Sequence, residues 1–216
     1  MHSRRYFINK LMLFFSLCGS FTWPLFAGLK RTWAAAAKVI LPKETDPQSL
    51  KLKNPAQLDT GNLEVMPLDS FGTMGLMDFR TDLNTWRLEI NGAVNTPLQL
   101  TYADILQLPA VEKNVLLICP GVFVNHGRWK GITIRALIEK AGRQQQSSRV
   151  TVRGPQSNHE KVESFSMEDI LADKIFLAYG VNGAPLPQKH GFPLRLVAED
   201  HYGHEWVKYV YCVTVE

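Results

Sequence analysis

Cysteine is scarce in this chain, and its scarcity excludes several kinds of metal site. Only three of the 216 residues are cysteines, at positions 18, 119 and 212. Structural zinc sites and iron–sulfur clusters need several closely spaced thiolates, so neither class fits this sequence. The chain also lacks a Cys-x-x-Cys-His motif for haem attachment. What remains is a set of isolated thiols, of which Cys119 has the most informative surroundings.

An excess of basic residues is also lacking once the N-terminus is set aside. The whole chain has 24 basic and 20 acidic residues. Five of the basic residues, and none of the acidic ones, lie within residues 1–37, which leaves 19 basic against 20 acidic residues. Proteins that bind nucleic acid carry a basic excess that this balance does not provide. We therefore predict no nucleic-acid partner, and the 45% hydrophobic content is enough for one domain core.

Residues 1–37 have the layout of an export signal. A basic head with the pair Arg4 and Arg5, followed by Phe7, precedes the apolar stretch 11–29. The adjacent arginines resemble a twin-arginine signal, whose export machinery carries folded proteins and often proteins that already hold a cofactor. The resemblance implies a periplasmic location. An uncleaved membrane anchor is the alternative, because about 19 apolar residues can just span a bilayer.

The remainder divides by composition into a linker and one domain. Residues 38–80 are rich in proline and lysine and predict an extended linker. Residues 81–216 contain about seven short strands and two or three short helices, which predicts an α+β class with strand-rich mixed sheets. The predicted strands cover residues 86–90, 98–100, 115–119, 149–153, 175–179, 192–197 and 206–215. The predicted helices cover residues 102–107 after the N-cap Thr101, residues 134–141, and a segment opened by Ser166.

Cys119 ends the apolar run 115–118, and a segment rich in glycine and tryptophan, 126–131, follows and predicts a loop. A strand that delivers one thiol into such a loop can hold a metal or a nucleophile. A plain buried core cysteine is the commonest alternative. As a nucleophile in a thiol hydrolase or transferase, Cys119 would use His126 as its base. A disulfide with Cys212 is conceivable in an oxidising compartment and would exclude metal binding.

From residue 86 onward the chain resembles the molybdopterin-binding domain of the sulfite oxidase superfamily. The resemblance rests on an ordered series of motifs, each of them weak alone. They are WRLEING at 86–92, LTYADI at 100–105, Cys119 with WKG at 129–131, NGAPLP at 182–187, HGFPLRL at 190–196, and YG at 202–203 with WVK at 206–208. The resemblance implies a sulfite-oxidase-like fold for residues 81–216, an oxidoreductase activity and a Mo-molybdopterin cofactor.

The same resemblance implies roles for six residues. Cys119 would be the one protein sulfur bonded to molybdenum, and so both metal ligand and catalytic residue. Arg195 would bind the pterin or its phosphate through its planar guanidinium, and His190 would face the pterin. The terminal phosphate would be surrounded by backbone N–H groups and basic side chains from Gly203, His204 and Lys208.

Two features depart from the family pattern. Glu205 stands where the family often has lysine, and GTMG at 72–75 replaces an asparagine-rich or aromatic-basic segment that many members use to contact the pterin. Both features favour an alternative, namely a degenerate, non-catalytic domain that binds pterin without turnover.

The resemblance otherwise implies two-electron oxygen-atom transfer on a sulfoxide- or sulfite-type substrate, with sulfoxide reduction ranked first. Arg128 is the only basic side chain close to Cys119 in sequence that could bind an anionic substrate. Because no second redox motif is present, we predict a separate electron carrier, either a cytochrome or a membrane haem or quinone protein. The sequence lacks the additional C-terminal dimerisation domain of sulfite oxidases, which predicts a monomer.

Overall fold

A computed structural model describes residues 37–156 and 160–216 of the chain. The predicted export signal, apart from its last residue, lies outside the described residues, and so does Cys18. Among the residues that are described, no helix is both long enough and apolar enough to cross a membrane.

The described part consists mostly of strands. These are β1 Val39–Ile40, β2 Leu58–Asp59, β3 Leu88–Gly92, β4 Leu98–Leu100, β5 Val111–Cys119, β6 Phe123–Thr133, β7 Arg149–Arg153, β8 Val162–Ser166, β9 Ile175–Val181, β10 Ala184–Pro185, β11 Arg195–Ala198 and β12 Cys212–Val215. The α-helices are α1 Tyr102–Leu106, α2 Ile134–Lys140 and α3 Met167–Leu171. Short 3-10 helices occupy Pro47–Leu50, Pro55–Gln57, Leu68–Ser70, Gln188–His190 and Gly203–Glu205.

Two five-stranded sheets enclose the main core. One has the order β10-β9-β6-β5, with β11 also pairing with β9, and all its pairs are antiparallel. The other has the order β4-β3-β12-β7-β8, in which β12 runs parallel to β3 and antiparallel to β7. Mixed sheets with a few short helices confirm the α+β prediction.

Local signals in the sequence placed the helix starts correctly. The Thr101 side chain accepts from the backbone N–H of Asp104, and Asp104 bonds back to Thr101, which forms a complete capping box for α1. Ser166 caps α3 by accepting from the backbone N–H of Asp169. These short-range contacts depend on four consecutive residues, so the sequence alone could predict them.

The loop predicted at residues 126–131 is wrong, because these residues lie in the long strand β6. The turn that follows Cys119 is confined to residues 120–122, and Cys119 pairs directly with Phe123. The glycines serve close packing here and not turns. A Cβ on Gly131 would lie 1.9 Å from the carbonyl oxygen of Leu177, so only glycine allows β6 to approach β9 this closely. The strands predicted at 192–197 and 206–215 are shorter than expected, since β11 begins at Arg195 and β12 at Cys212.

The segment predicted as an extended linker packs onto the domain instead. Its first part, residues 38–64, is here called the arm. The arm buries four leucines against β5 and β6, and they form a second cluster with strand residues: Leu41, Leu50, Leu58, Leu63, Leu116, Ile118 and Val124. The carbonyl of Lys51 also accepts from the N–H of Gly121 at 3.1 Å, in the turn beside Cys119. The leucines are irregularly spaced among prolines, so no periodic pattern announced their burial.

Replacing Leu50 by alanine tests this packing. Leu50 is 4% exposed, so Leu50→Ala should lower the free energy of unfolding by about 3 kcal/mol, since it removes buried methyl groups and leaves a cavity. Leu52 lies two residues away in the same arm and is 83% exposed. The matched change Leu52→Ala should cost less than about 0.5 kcal/mol. Urea unfolding of both variants measures the difference, and equal stabilities would show that the arm is unpacked in solution.

Candidate functional site

The hairpin of β5 and β6 presents two different faces. Alternate residues of a strand point to opposite sides, so Leu117 and Cys119 face the main core while Leu116 and Ile118 face the arm. His126 pairs with Leu116 and therefore belongs to the arm face, where its Nδ1 lies 2.9 Å from the carbonyl oxygen of Glu64. Cys119 and His126 thus lie on opposite faces of the hairpin. This geometry excludes the predicted nucleophile and base pair.

A cavity of about 840 Å³ borders the Cys119 face. Its lining comes from the hairpin, from residues 72–78, and from the chain around Arg195 and Lys208. Five of the six predicted site residues line it, namely Cys119, Arg195, Gly203, His204 and Lys208. His190 is buried outside the lining, and its backbone carbonyl accepts from Nη1 of Arg195 at 3.1 Å. The structure therefore gathers residues that are 89 positions apart in the chain around one space.

Cys119 carries a free, half-buried thiol. Burial raises the pKa of this thiol, so by itself it is protonated at neutral pH and is not an activated nucleophile. Binding to a metal cation displaces the thiol proton, so the same position suits a thiolate ligand. Cys212 is also free, with its sulfur 3.5 Å from Nδ2 of Asn91. The conceivable disulfide between Cys119 and Cys212 is not formed.

Arg195 is a buried cation without an acidic partner. Its side chain is almost completely enclosed, and its guanidinium lies 5.0 Å from the ring centre of Trp129 and 5.2 Å from that of Trp206. Its Nε makes no hydrogen bond within the described residues, and no carboxylate there pairs with it. Burial lowers the pKa of Arg195 to about 9. Arg195 is therefore positively charged at neutral pH. Burying this charge costs free energy, which a bound anion would offset.

Lys208 adds a second, half-buried positive charge. Its ammonium donates to Oγ1 of Thr73 at 3.2 Å and to the carbonyl of Lys189 at 3.3 Å. Burial, and then the charge of Arg195, lower the pKa of Lys208 to about 8. For His190, burial and then neighbouring cations, Arg195 foremost, lower the pKa to about 4, so its imidazole is neutral at pH 7. Of these three side chains, Arg195 and Lys208 are therefore charged at pH 7 and His190 is neutral.

These groups fit a molybdopterin. The unpaired Nε of Arg195 and the unpaired indole N–H of Trp206 belong to residues that line the cavity, as does the Lys208 ammonium. Together they are donors suited to a phosphate and to a polar heterocycle. Within residues 37–156 and 160–216 no group of three or more His, Cys, Asp or Glu side chains could hold a metal ion. A metal bound by Cys119 would share its coordination with the sulfurs of the cofactor.

Two glycines allow the chain to pass close to the β5 and β6 hairpin beside the cavity. A Cβ on Gly203 would lie 2.7 Å from Cδ2 of Leu117, and one on Gly72 would lie 2.3 Å from the ring of Phe123. Each contact is far shorter than a real side chain tolerates. The chain can therefore pass closely by the hairpin at both positions only because no side chain is present there.

The sequence did not predict that residues 72–78 form one wall of the cavity. This wall has no regular secondary structure and is fixed at its start by Asn125, whose Oδ1 and Nδ2 bond to the N–H and the carbonyl of Gly72, both at 2.9 Å. The signal that could have revealed it is Asn125 itself, a polar residue at a position of β6 that faces the main core. GTMG, which departs from the family pattern, thus still lies at the cavity.

Two further residues singled out in the sequence lie away from the cavity. The carboxylate of Glu205 accepts from the backbone N–H of Tyr202 at 2.9 Å and lies 3.0 Å from Nδ1 of His201, so it caps its own 3-10 helix. Arg128 is on the surface of β6, where its Nε lies 2.8 Å from Oε1 of Glu112. Neither residue lines the cavity, so Arg128 is not placed to bind a substrate anion there.

Several known proteins are similar in sequence. One is the uncharacterized oxidoreductase YuiH of Bacillus subtilis, 30% identical over 122 residues, which are 56% of this chain and 60% of YuiH. Another is the protein-methionine-sulfoxide reductase catalytic subunit MsrP of Gluconobacter oxydans, 28% identical over 155 residues, with 62% and 50% covered. The NADH nitrate reductase of Volvox carteri is 28% identical over 159 residues, with 60% and 18% covered. The chain thus spans 60% or less of the length of these relatives.

The fold also has a solved counterpart. The sulfane dehydrogenase SoxCD from Paracoccus pantotrophus superposes with a TM-score of 0.60 and 25% identity, over 64% of this chain and 40% of the SoxCD chain. Residues 75–216 match the family described as "oxidoreductase molybdopterin binding domain". These findings confirm the resemblance to the sulfite oxidase superfamily and the predicted cofactor. The chain belongs to the oxidoreductase molybdopterin-binding domain family, whose cofactor is molybdopterin.

Proposed function

We propose that this protein is a periplasmic molybdenum enzyme that transfers an oxygen atom to or from a sulfoxide- or sulfite-type substrate. The observation that carries the proposal is one cavity that joins the Cys119 thiol to the buried Arg195 and the half-buried Lys208, neither of which pairs with a carboxylate among the described residues. The cofactor, when bound, supplies the two-electron redox chemistry. The chain would contribute the Cys119 ligand, the Arg195 and Lys208 contacts to the pterin phosphate, and a shaped approach for the substrate.

The lining near Cys119 favours an uncharged substrate. The hairpin contributes only neutral groups to the cavity, among them Leu117 and Phe123, and residues 72–78 add Met74, Met77 and the carboxylate of Asp78 but no cation. An anion such as sulfite needs cationic or N–H donors to replace its hydration, and Arg128, the residue that the sequence suggested for this role, pairs with Glu112 on the surface. A sulfoxide is polar but uncharged. We therefore rank sulfoxide reduction above sulfite oxidation, in line with the name of the relative MsrP.

The proposal includes export and a separate electron carrier. Export rests on the twin-arginine pair at Arg4 and Arg5, and a membrane anchor at residues 11–29 remains the alternative. A separate carrier is supported by the name of MsrP, which calls that relative a catalytic subunit. We propose a cytochrome or a membrane haem or quinone protein for this role, and a monomeric catalytic chain.

Metal analysis of the full chain tests the proposal. The protein should be expressed with its own N-terminus in a host that makes molybdopterin and has the twin-arginine machinery. We expect close to one molybdenum per chain, because a preformed cavity lined by the cations Arg195 and Lys208 favours retention of the cofactor. Less than about a tenth of an equivalent would contradict the enzyme proposal, since the cofactor carries the chemistry.

Turnover assays separate the substrate classes and the non-catalytic alternative. A loaded protein should reduce methionine sulfoxide with a viologen dye as the electron donor, and it should oxidise sulfite more slowly. Full molybdenum content without turnover on either substrate would support the degenerate pterin-binding alternative. Faster sulfite oxidation would reverse the ranking of substrates and leave the enzyme proposal standing.

A further inference from the structure

The surface beside Cys119 combines exposed apolar side chains with unpaired positive charge. The turn of the β5 and β6 hairpin carries Val122, which is 49% exposed. The Lys51 carbonyl bonds to Gly121 of that turn, which places the highly exposed Leu52 next to it. Met74 and Met77, each about half exposed, lie on the cavity wall that passes Phe123. Four large exposed apolar side chains therefore lie on the segments next to the Cys119 turn and the cavity wall.

Two lysines flank this apolar surface. Lys51 and Lys53 lie on either side of Leu52, and neither forms an ion pair with a carboxylate in the part of the chain that the structure describes. By contrast, Lys43 in the same arm lies 3.1 Å from Glu64, and Lys38 lies 2.6 Å from Asp200. An apolar centre with an unbalanced basic edge is complementary to a partner that has an acidic edge.

The position of this surface suggests what kind of partner it meets. Oxygen-atom transfer moves two electrons, and a one-electron carrier must dock twice in each turnover to deliver or remove them. Electron transfer needs a short path, and the turn at residues 120–122 is the surface that directly adjoins Cys119. Complexes of this kind are small and transient, with interfaces below about 1,200 Å².

We infer that Leu52, Val122, Met74 and Met77, edged by Lys51 and Lys53, form the docking surface for an acidic one-electron carrier protein. The inference rests on the proposed function, and it adds the location of the carrier and the sign of its charge. Lys51, Leu52 and Lys53 lie outside residues 75–216, which match the family. The arm therefore adds Leu52 and the basic edge to a surface whose members Val122 and Met77 belong to the family domain.

Charge reversal at the two lysines tests the inference. The reduced holoenzyme is mixed in a stopped-flow instrument with an oxidised acidic c-type cytochrome, and haem reduction is followed, one electron per haem. At low ionic strength Lys51→Glu combined with Lys53→Glu should slow the second-order reaction at least about tenfold, because steering by surface charge is lost. The difference should shrink near 1 M salt, where charges are screened within about 3 Å.

A matched control changes the net charge equally at other places. Lys140→Glu combined with Arg149→Glu alters two exposed basic residues that lie outside the docking surface and form no ion pair among the described residues, and this variant should change the rate less than about twofold. A basic c-type cytochrome should react slowly with the native protein and faster with the Lys51 and Lys53 variant. Reoxidation by a small neutral dye should be the same in all variants, because a dye needs no docking surface.

Two results would overturn the inference. One is an unchanged rate with the acidic cytochrome after charge reversal at Lys51 and Lys53. The other is an equal loss in the control variant, which would mean that only net charge matters. Failure of the proposed function looks different, since a protein without redox activity would react with neither the dye nor any cytochrome. A Leu52→Ser variant should weaken saturation by the acidic cytochrome with no change in the dye reaction.

Discussion

Cys119→Ser is expected to abolish turnover and to remove the thiolate-to-metal absorption of the loaded protein. Serine keeps the size of the side chain but offers a hydroxyl, which is a poor ligand for a soft metal centre that already bears sulfur ligands. Because the metal carries the chemistry, we expect kcat to fall by at least about a thousandfold. The half-buried position of Cys119, at the last residue of β5, tolerates serine, so the fold should persist.

Cys212→Ser provides the matched control. Cys212 is the other free cysteine of the described residues, and it lies in β12 beside Asn91 and Thr214, away from the cavity lining. The same atomic change there should leave the absorption and kcat unaltered. Circular dichroism of both variants checks that the fold is kept. An unchanged spectrum in Cys119→Ser would remove this residue from the metal site, and loss in both variants would indicate a general effect on folding.

The same variant also separates the rival interpretations of Cys119. A pterin held by Arg195 and Lys208 should remain partly bound in Cys119→Ser, and its fluorescence after acid release measures the amount. A core cysteine would show no spectral change in any loaded protein. A thiol nucleophile would need a base near its sulfur, and His126 lies on the other face of the hairpin.

Local signals in the sequence predicted much of the secondary structure. Strands β4 and β7 begin and end at the predicted residues, and Thr101 caps α1 as expected. Each of these depends on alternation or on a cap within a few neighbouring residues. Glycine misled the interpretation of β6, because the sequence cannot distinguish a glycine needed for a turn from one needed for a close approach between strands. Gly131 is of the second kind, and Gly127 makes room for the ring of Phe71.

The sequence predicted which residues form the candidate site better than it predicted how they are arranged. The family resemblance selected Cys119, Arg195 and Lys208, and all three line the cavity. It did not reveal the two hydrogen bonds between Asn125 and Gly72, which are 53 residues apart and form only when the fold brings them together. Nor did it reveal that the arm covers the back of the Cys119 strand. Contacts of this kind depend on tertiary packing, which no local pattern encodes.

Arg195→Met is expected to prevent cofactor retention and, at the same time, to stabilise the cofactor-free protein. Methionine has a similar length and suits the space between Trp129 and Trp206, but it has no charge and no donors. Loss of a bidentate contact to the phosphate should weaken binding by at least about a hundredfold. Molybdenum and pterin measured after purification should therefore be close to zero, whether or not an assay for activity exists.

The gain in stability follows from the sign of the pKa change. In the folded protein burial lowers the pKa of Arg195 from its usual value to about 9, so between pH 9 and that usual value the unfolded chain holds more protons. The stability of the cofactor-free native protein therefore rises with pH across this window, and the cost of the buried charge is fully present below pH 9. Methionine removes that cost, and replacing a poorly paired buried charge by an apolar side chain gains roughly 2 kcal/mol.

Arg195→Lys distinguishes charge from geometry at this position. Lysine keeps a positive charge but lacks the planar fork, so the cofactor-free protein should gain no stability and should retain only part of its cofactor. Urea unfolding at pH 7 and at pH 9.5 measures the stability, and molybdenum and pterin content measure the retention. The pH dependence of stability seen in the native protein should be reduced in Arg195→Met. If Arg195→Met were instead less stable than the native cofactor-free protein, the guanidinium would be a structural support through His190 and the two tryptophans. A positive charge that destabilises the cofactor-free fold and is needed for cofactor retention is best explained as part of an anion site.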